Sequence, residues 1–436
     1  MNVAFLLIVL VSFVFAGWRE FGFSPIEGAP SPVEALSKAM VESAGGAVEL
    51  AIGLVGVMAL FLGLMKIAEE GGLLKVVARL LRPLMIRLFP QVPADHPAMG
   101  AMILNLSANV LGLGNAATPF GIRAMQELDT LNGQKGTATD AMVLFLAINT
   151  SSVTLLPTGV IALRAAAGSA DPAAILPTTL FATIGSTAVA IAAAKLYGRI
   201  PWFRRSAVDG PQETAEGDHG LEGGSGDRKG ASLEDAVGYP LWISAAALCA
   251  LVALVPLTVL YGRMISPWII PGLMVGFLLF GVVRRVRVYE AFVEGAKEGF
   301  QVAIKIIPYL VAILVAVGMF RASGALEVMV QTLGVWTGKV GLPAEALPMA
   351  LLRPLSGSGA YGILASIIDD PSVGPDSYVG YLVSTLQGST ETTFYVLAVY
   401  FGAVQVRRVR HALAAALTAD AAGVAFAVMG CWYLFG

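Results

Sequence analysis

Asn109-Val110-Leu111-Gly112-Leu113-Gly114-Asn115-Ala116-Ala117-Thr118-Pro119 interrupts an apolar run that extends over 97–131. Gly112 and Gly114 weaken a helix, and Thr118-Pro119 is a helix-start signal, a hydroxyl N-cap followed by a residue suited to the first helical position. The spacing predicts a break at 112–117 and a restart at Thr118-Pro119. Each half is about 11–15 residues, whereas a membrane-crossing helix needs about 20. A segment of this kind enters the bilayer and returns, and its non-helical tip must be buried in protein or line a wet cavity. Residues 344–368 repeat the pattern around Arg353-Pro354-Leu355-Ser356-Gly357-Ser358-Gly359. Both stretches read as re-entrant hairpins.

The surrounding composition supports a membrane reading. The chain has 436 residues, 56% of them hydrophobic and 13% charged, with mean hydropathy +0.76. A soluble domain carries about 25% charged residues. Net charge is −2, so no basic field points to nucleic acid. Cys249 and Cys431 sit in apolar runs as core filler, and the three histidines have no ligand spacing. No nucleophile–base pair, metal set or phosphate-binding loop is present, which argues against an enzyme and implies no resident cofactor.

Apolar runs predict spans at 3–18, 45–65, 139–165, 175–197, 239–261, 267–283, 299–320, 377–401 and 409–435. The first reads as a retained anchor, because Met1-Asn2 carries no positive charge and no small-residue cleavage site follows. Clusters at Lys66–Lys135, Lys195–Lys229, Arg284–Lys305 and Arg407–Arg410, after every second span, hold most of the 28 Lys and Arg residues. By the positive-inside rule these loops are cytoplasmic, which makes the protein multi-pass in the cell membrane with a cytoplasmic amino terminus. Residues 73–89 form an amphipathic basic helix suited to the interface. The Gly-rich, acidic stretch 206–235 reads as a flexible cytoplasmic linker.

Two halves flank that linker and resemble each other. Val41-Glu42-x-Ala44 matches Val293-Glu294-x-Ala296, Ala51-Ile52 matches Ala303-Ile304, and Gly72 matches Gly324, all at one constant offset. Each half continues with an amphipathic segment, a Gly-rich hairpin and a span interrupted by hydroxyl residues. The interruptions are Asn149-Thr150-Ser151-Ser152-Val153-Thr154 and Gln387-Gly388-Ser389-Thr390-Glu391-Thr392-Thr393. An odd number of spans between the repeat starts predicts inverted topology. Inverted repeats whose broken helices meet at mid-membrane are the sequence pointer to a secondary-transporter binding site. The division is an anchor at 1–35, repeats at 36–205 and 288–436, the linker, and connecting helices at 236–287.

These motifs resemble a known family. The 109–120 stretch and Ile148-Asn149-Thr150-Ser151-Ser152-Val153 resemble spore maturation protein A. Arg353-Pro354-Leu355-Ser356-Gly357-Ser358-Gly359-Ala360 and the stretch from Gln387 to Tyr395 resemble spore maturation protein B. The chain looks like a fusion of the two, within the wider group carrying a nucleoside-recognition, or gate, domain. That resemblance implies an all-α polytopic membrane fold similar to concentrative nucleoside transporters, with contacts in two hairpin tips and two unwound helices. Here the first tip, Gly114 to Thr118, lacks the acidic residue that nucleoside transporters carry.

The candidate solute- or ion-binding residues are Asn115, Thr118, Asn149, Thr150, Ser151, Ser152, Ser356, Ser358, Gln387, Ser389, Thr390 and Glu391. Hydroxyls in a membrane helix also bond back to their own backbone, the competing reading for all of them. Glu391 is the sharpest, an acid at the centre of span 377–401. If Ser389 caps the second half-helix, Glu391 falls in its first turn; a pair with Arg353 is the structural alternative. Asp140 and Asp420 lie nearer span ends and read as caps or interfacial groups. The function expected is ion-coupled transport of a small polar solute, nucleoside-like or another metabolite, driven by sodium or protons. The alternative is a non-transporting membrane scaffold. Expected partners are the solute and lipids, without nucleic acid, and a homo-oligomer is left open.

Overall fold

The computed structural model describes residues 2–23, 30–112, 114–201 and 239–436. The linker at 206–235 lies outside the described residues. The described chain is mostly helical; its β structure among the described residues is one isolated bridge between Thr137 and Arg408. The helices are α1 (Asn2–Phe21), α2 (Pro32–Glu70), α3 (Leu73–Leu88), α4 (Pro97–Val110), α5 (Gly114–Thr130), α6 (Asp140–Thr150), α7 (Thr158–Ala166) and α8 (Leu176–Tyr197). The second part contains α9 (Leu241–Val283), α10 (Val288–Ala322), α11 (Ala325–Thr337), α12 (Leu347–Leu352), α13 (Gly357–Ile368), α14 (Tyr378–Ser389), α15 (Thr393–Gly402) and α16 (Ala412–Phe435). This helical, apolar architecture is that of a membrane protein. Among the described residues, α8 and α16 are long and apolar enough to cross a bilayer.

Element order repeats: α2–α8 and α10–α16 follow the same sequence of long helix, short amphipathic helix, helical hairpin, broken helix and final helix. The long helices both end at a glycine in the left-handed region, Gly72 (φ 82°) and Gly324 (φ 83°). The broken helices start alike. Thr139 Oγ1 accepts from Met142 N, and Ser377 Oγ accepts from Gly380 N. Each is an N-cap that satisfies one amide orphaned at a helix start.

Equivalent helices pack on one another. Helices α2 and α10 run antiparallel, with Ser43 against Gly318 and Lys66 against Gly295. Ala47 and Ala51 pack with Ile307, Val311 and Leu314 between those ends. The offset that equates Gly72 with Gly324 also equates Ser43 with Gly295 and Lys66 with Gly318, so the two end contacts are reciprocal. Gly299 lies against the backbone of Ala59, where any side chain would collide. Such small residues let helix backbones approach where apolar burial alone cannot hold membrane helices together. Helices α8 and α16 are also antiparallel: Gly430 meets Phe181, Ser186 Oγ donates to Ala419 O, and Gly198 meets His411.

The helix boundaries depart from expectation in two places. Spans 239–261 and 267–283 merge into the single helix α9. Gly262 and Pro267, at which the two spans divide in the sequence, do not end the helix. The merger removes the span count from which inverted topology was predicted. In the first hairpin the helix restarts at Gly114 rather than Thr118, with Pro119 inside it. Gly112 at φ +77° turns the chain tightly, and the space a Cβ would need is filled by Leu156 O. One left-handed residue shortens the tip.

Candidate functional site

Four interruptions interlock at one place. Leu155 N, in the first broken helix, donates to Val110 O at the tip of the first hairpin (3.0 Å). Phe394 N, in the second, donates to Pro354 O at the tip of the other hairpin (3.1 Å). Glu391 N donates to Thr150 O across the two broken helices (2.8 Å). Backbone groups freed by each break are thereby paired with another break, as low-dielectric surroundings require.

A cavity of about 320 Å³ opens where they meet. Thr154, Leu156, Pro157 and Thr158 line it from the first break, and Gln387, Gly388, Glu391 and Thr392 from the second. Asn109 and Gly112 come from one hairpin, Arg353, Gly357 and Tyr361 from the other, and Met58 and Phe61 from α2. Arg353 is buried and organises one wall. Its Nε donates to Gln387 O (3.0 Å), one terminal nitrogen donates to Thr392 Oγ1 (3.0 Å), and the other lies 3.5 Å from Glu391. Glu391 is 48% exposed, so its carboxylate is open to the cavity while paired on one side. Gln387 is buried, and its Oε1 has no hydrogen-bond partner among the described atoms. An unfilled buried acceptor is costly and is the kind of group a bound donor satisfies.

Of the residues singled out in the sequence, Gln387 and Glu391 line this cavity. Thr150 and Ser151 hydroxyls donate to Ala147 O, and Ser152 donates to Asn149 O, all buried within the end of α6. Asn149 donates to Phe145 O and accepts from Asn109 (2.9 Å) and Tyr400 (3.3 Å). Ser356 caps α13 by accepting from Gly359 N (3.0 Å). Ser389 donates to Leu386 O inside α14, so it does not cap the second half-helix. That helix starts at Thr393 with Thr392 as N-cap, which leaves Glu391 just outside its first turn. Thr390 is buried against Gly423, and Thr118 is half-buried on α5. The side chains of Asn115 and Ser358 lie outside the described residues.

Two ionisable groups acquire importance only here. Asp420 lies in the third turn of α16, well inside the helix rather than at its cap, and is 5% exposed. Its Oδ2 accepts from Thr393 Oγ1 at 2.7 Å. Arg164, on α7, is fully buried. It donates to Pro375 O (2.6 Å) and pairs with Asp376 (2.9 Å), and its guanidinium stacks over the Tyr381 ring. A counterpart follows the second break, where Arg410 donates to Ala138 O (3.0 Å) and pairs with Asp140 (2.8 Å). Each broken helix thus leads to an arginine that clasps the start of the other. The available signal was that Asp420 and Arg164 are solitary charges in long apolar stretches.

The fold and this interlocked centre define a helical membrane protein of the gate type. The chain belongs to the family described as "Gate: Nucleoside recognition", which matches it twice, at residues 51–167 and 303–407. Those matches begin at the same separation as the repeat in the sequence. The chain is 47% identical over 167 residues to spore maturation protein B of Bacillus subtilis (strain 168), covering 38% of this chain and 93% of that protein. It is 45% identical over 170 residues to spore maturation protein A of the same organism, covering 39% of this chain and 85% of that protein. No solved structure matches.

Proposed function

We propose that this protein is an ion-coupled secondary transporter of a small polar solute in the cytoplasmic membrane, with a role in spore maturation like that named for its relatives. The observation that carries the reading is the cavity shared by both helix breaks and both hairpin tips, with Glu391 open to it and Gln387 Oε1 unpartnered. The antiparallel packing of α2 with α10 and of α8 with α16 supports repeats of inverted topology with re-entrant hairpins, the arrangement in which one half rocks against the other around a fixed site. The clasps made by Arg164 and Arg410 join the repeats at opposite ends of the broken helices and are suited to opening in turn. A nucleoside-like solute fits the family description, and sodium or protons are the candidate coupling ions. The amino terminus is taken as cytoplasmic and the chain as multi-pass.

The scaffold reading draws on a specific observation: the hydroxyls of Thr150, Ser151, Ser152 and Ser389 are all turned into their own helices. Counterflow in proteoliposomes preloaded with a labelled metabolite pool that includes nucleosides separates the two. Exchange of a labelled solute that is lost in Glu391→Gln supports transport; absence of exchange for the whole pool supports the scaffold.

A further inference from the structure

We propose that Asp420 is a proton-binding site of this protein, linked to the helix break at 390–392, and that it, rather than Glu391, carries the coupling proton. The coupling part rests on the transporter reading; the site itself does not. Asp420 is 5% exposed, and its Oδ1 is buried with no hydrogen-bond partner among the described atoms, while Oδ2 is held by Thr393 Oγ1 at 2.7 Å. An ionised carboxylate with an unbonded oxygen in such surroundings bears a heavy desolvation cost unless paired. No cation lies within ion-pair distance of Asp420 among the described residues. Binding one proton breaks an O–H bond of aqueous hydronium, leaving water, and forms an O–H bond on Oδ1 that removes the charge; release reforms hydronium. No other group need change.

The surroundings favour this carboxyl over other sites. The charge of Arg353 reaches it, but Arg353 is already committed to Gln387 O, Thr392 and Glu391. Helices α6 and α8 carry only Asp140 and Lys195 as charged residues, both at the ends that lie near the start of α16, and the hydroxyl of Tyr197, also on α8, is bonded to Thr418. On α15, Tyr395 is exposed and Tyr400 is bonded to Asn105 and Asn149; on α14, Tyr378 bonds Gly341 O and Tyr381 lies under Arg164. His411 precedes α16 and sits against Gly198, far along the helix. Thr393 is the first residue of α15, directly after the N-cap Thr392 that Arg353 holds. The charge on Asp420 therefore acts on the turn that positions Glu391, Thr392 and the Arg353 wall of the cavity. Glu391, half-exposed and already paired, is placed to meet the solute.

Infrared difference spectroscopy tests the site, using the full chain in lipid nanodiscs with isotope-labelled aspartate and titrated in pH. We expect a carboxylic C=O band that titrates reversibly, is missing in Asp420→Asn and is retained in Glu391→Gln. Thr393→Val should shift the band by removing the hydroxyl donor, a readout that remains if Asp420→Asn fails to fold. A wild-type protein without such a band, a band that vanishes with Glu391→Gln, or one indifferent to Thr393→Val overturns the proposal. If the band behaves as expected but proteoliposomes exchange no solute, the transport reading fails and the proton site stands.

Discussion

The two helix breaks begin alike and do different things. Asn149 and Gln387 stand at the same distance from the N-caps Thr139 and Ser377, and hydroxyl residues follow both. In the first break the polar groups are consumed: the Asn149 amide is bonded to Phe145, Asn109 and Tyr400, and the next three hydroxyls close onto α6. In the second, Gln387 keeps an open acceptor, and the position of Val153 is taken by Glu391, facing the cavity beside Arg353. One half of the repeat frames the cavity and the other supplies its charge. Polarity inside a broken membrane helix therefore does not by itself make a ligand contact; what its hydrogen bonds leave unfilled does.

The sharpest way to break this contrast is Glu391→Gln. It should abolish solute exchange in counterflow while thermal unfolding changes by under about 1 kcal/mol, because a half-exposed ion pair adds little stability. If Glu391 serves only to pair with Arg353, the single substitution should instead destabilise the protein, and neutralising both partners should restore it.

The clasps beyond each break should also prove unequal. Arg164→Ala removes a fully buried guanidinium with several partners and should cost about 3 kcal/mol or more in detergent unfolding. Arg410→Ala, whose partner Asp140 is 48% exposed, should cost about 1 kcal/mol or less. Equal losses would mean that the two ends are held alike.

Within the first break, Thr150→Val and Ser151→Ala should each cost about 1 kcal/mol or less, the net worth of one internal hydrogen bond, and leave solute affinity unchanged in competition binding. A large loss of affinity would move those hydroxyls into the site.

The smallest effect concerns Asp370, in the loop after the second hairpin, which pairs with Arg321 at 2.9 Å. Burial opposes its charge, but hydrogen bonds from the Ser372 hydroxyl and amide, together with Arg321, outweigh it and hold the carboxyl below its ordinary value. A depressed folded-state value adds stability above the unfolded pKa, about 3.9 for Asp, and that stability is lost as pH falls through the folded value. Asp370→Asn should therefore be slightly less stable than wild type at neutral pH and indistinguishable from it in strong acid, read by unfolding midpoints across pH.

By itself the sequence determined the helical membrane class, the two hairpins, the two broken helices and the repeat. Each is written in local physics: apolar runs of limited length, glycines such as Gly112 that interrupt them, and polar residues such as Asn149 and Gln387 within apolar spans. It also brought forward Glu391 and Gln387, because an acid and an amide stand out in an apolar span. Tertiary structure decided the rest. Whether a Ser or Thr turns into its helix or toward the cavity depends on which acceptors lie within reach, and Thr150 to Ser152 found theirs one turn back. The restart at Gly114 follows the turn at Gly112, which packs against Leu156 O, a contact no local pattern reveals. The burial of Asp420 and Arg164 needed the packing of α16 on α8 and α15 and of α7 against the start of α14, because a lone charge reads the same at an interface as in a core until the surrounding helices remove the water.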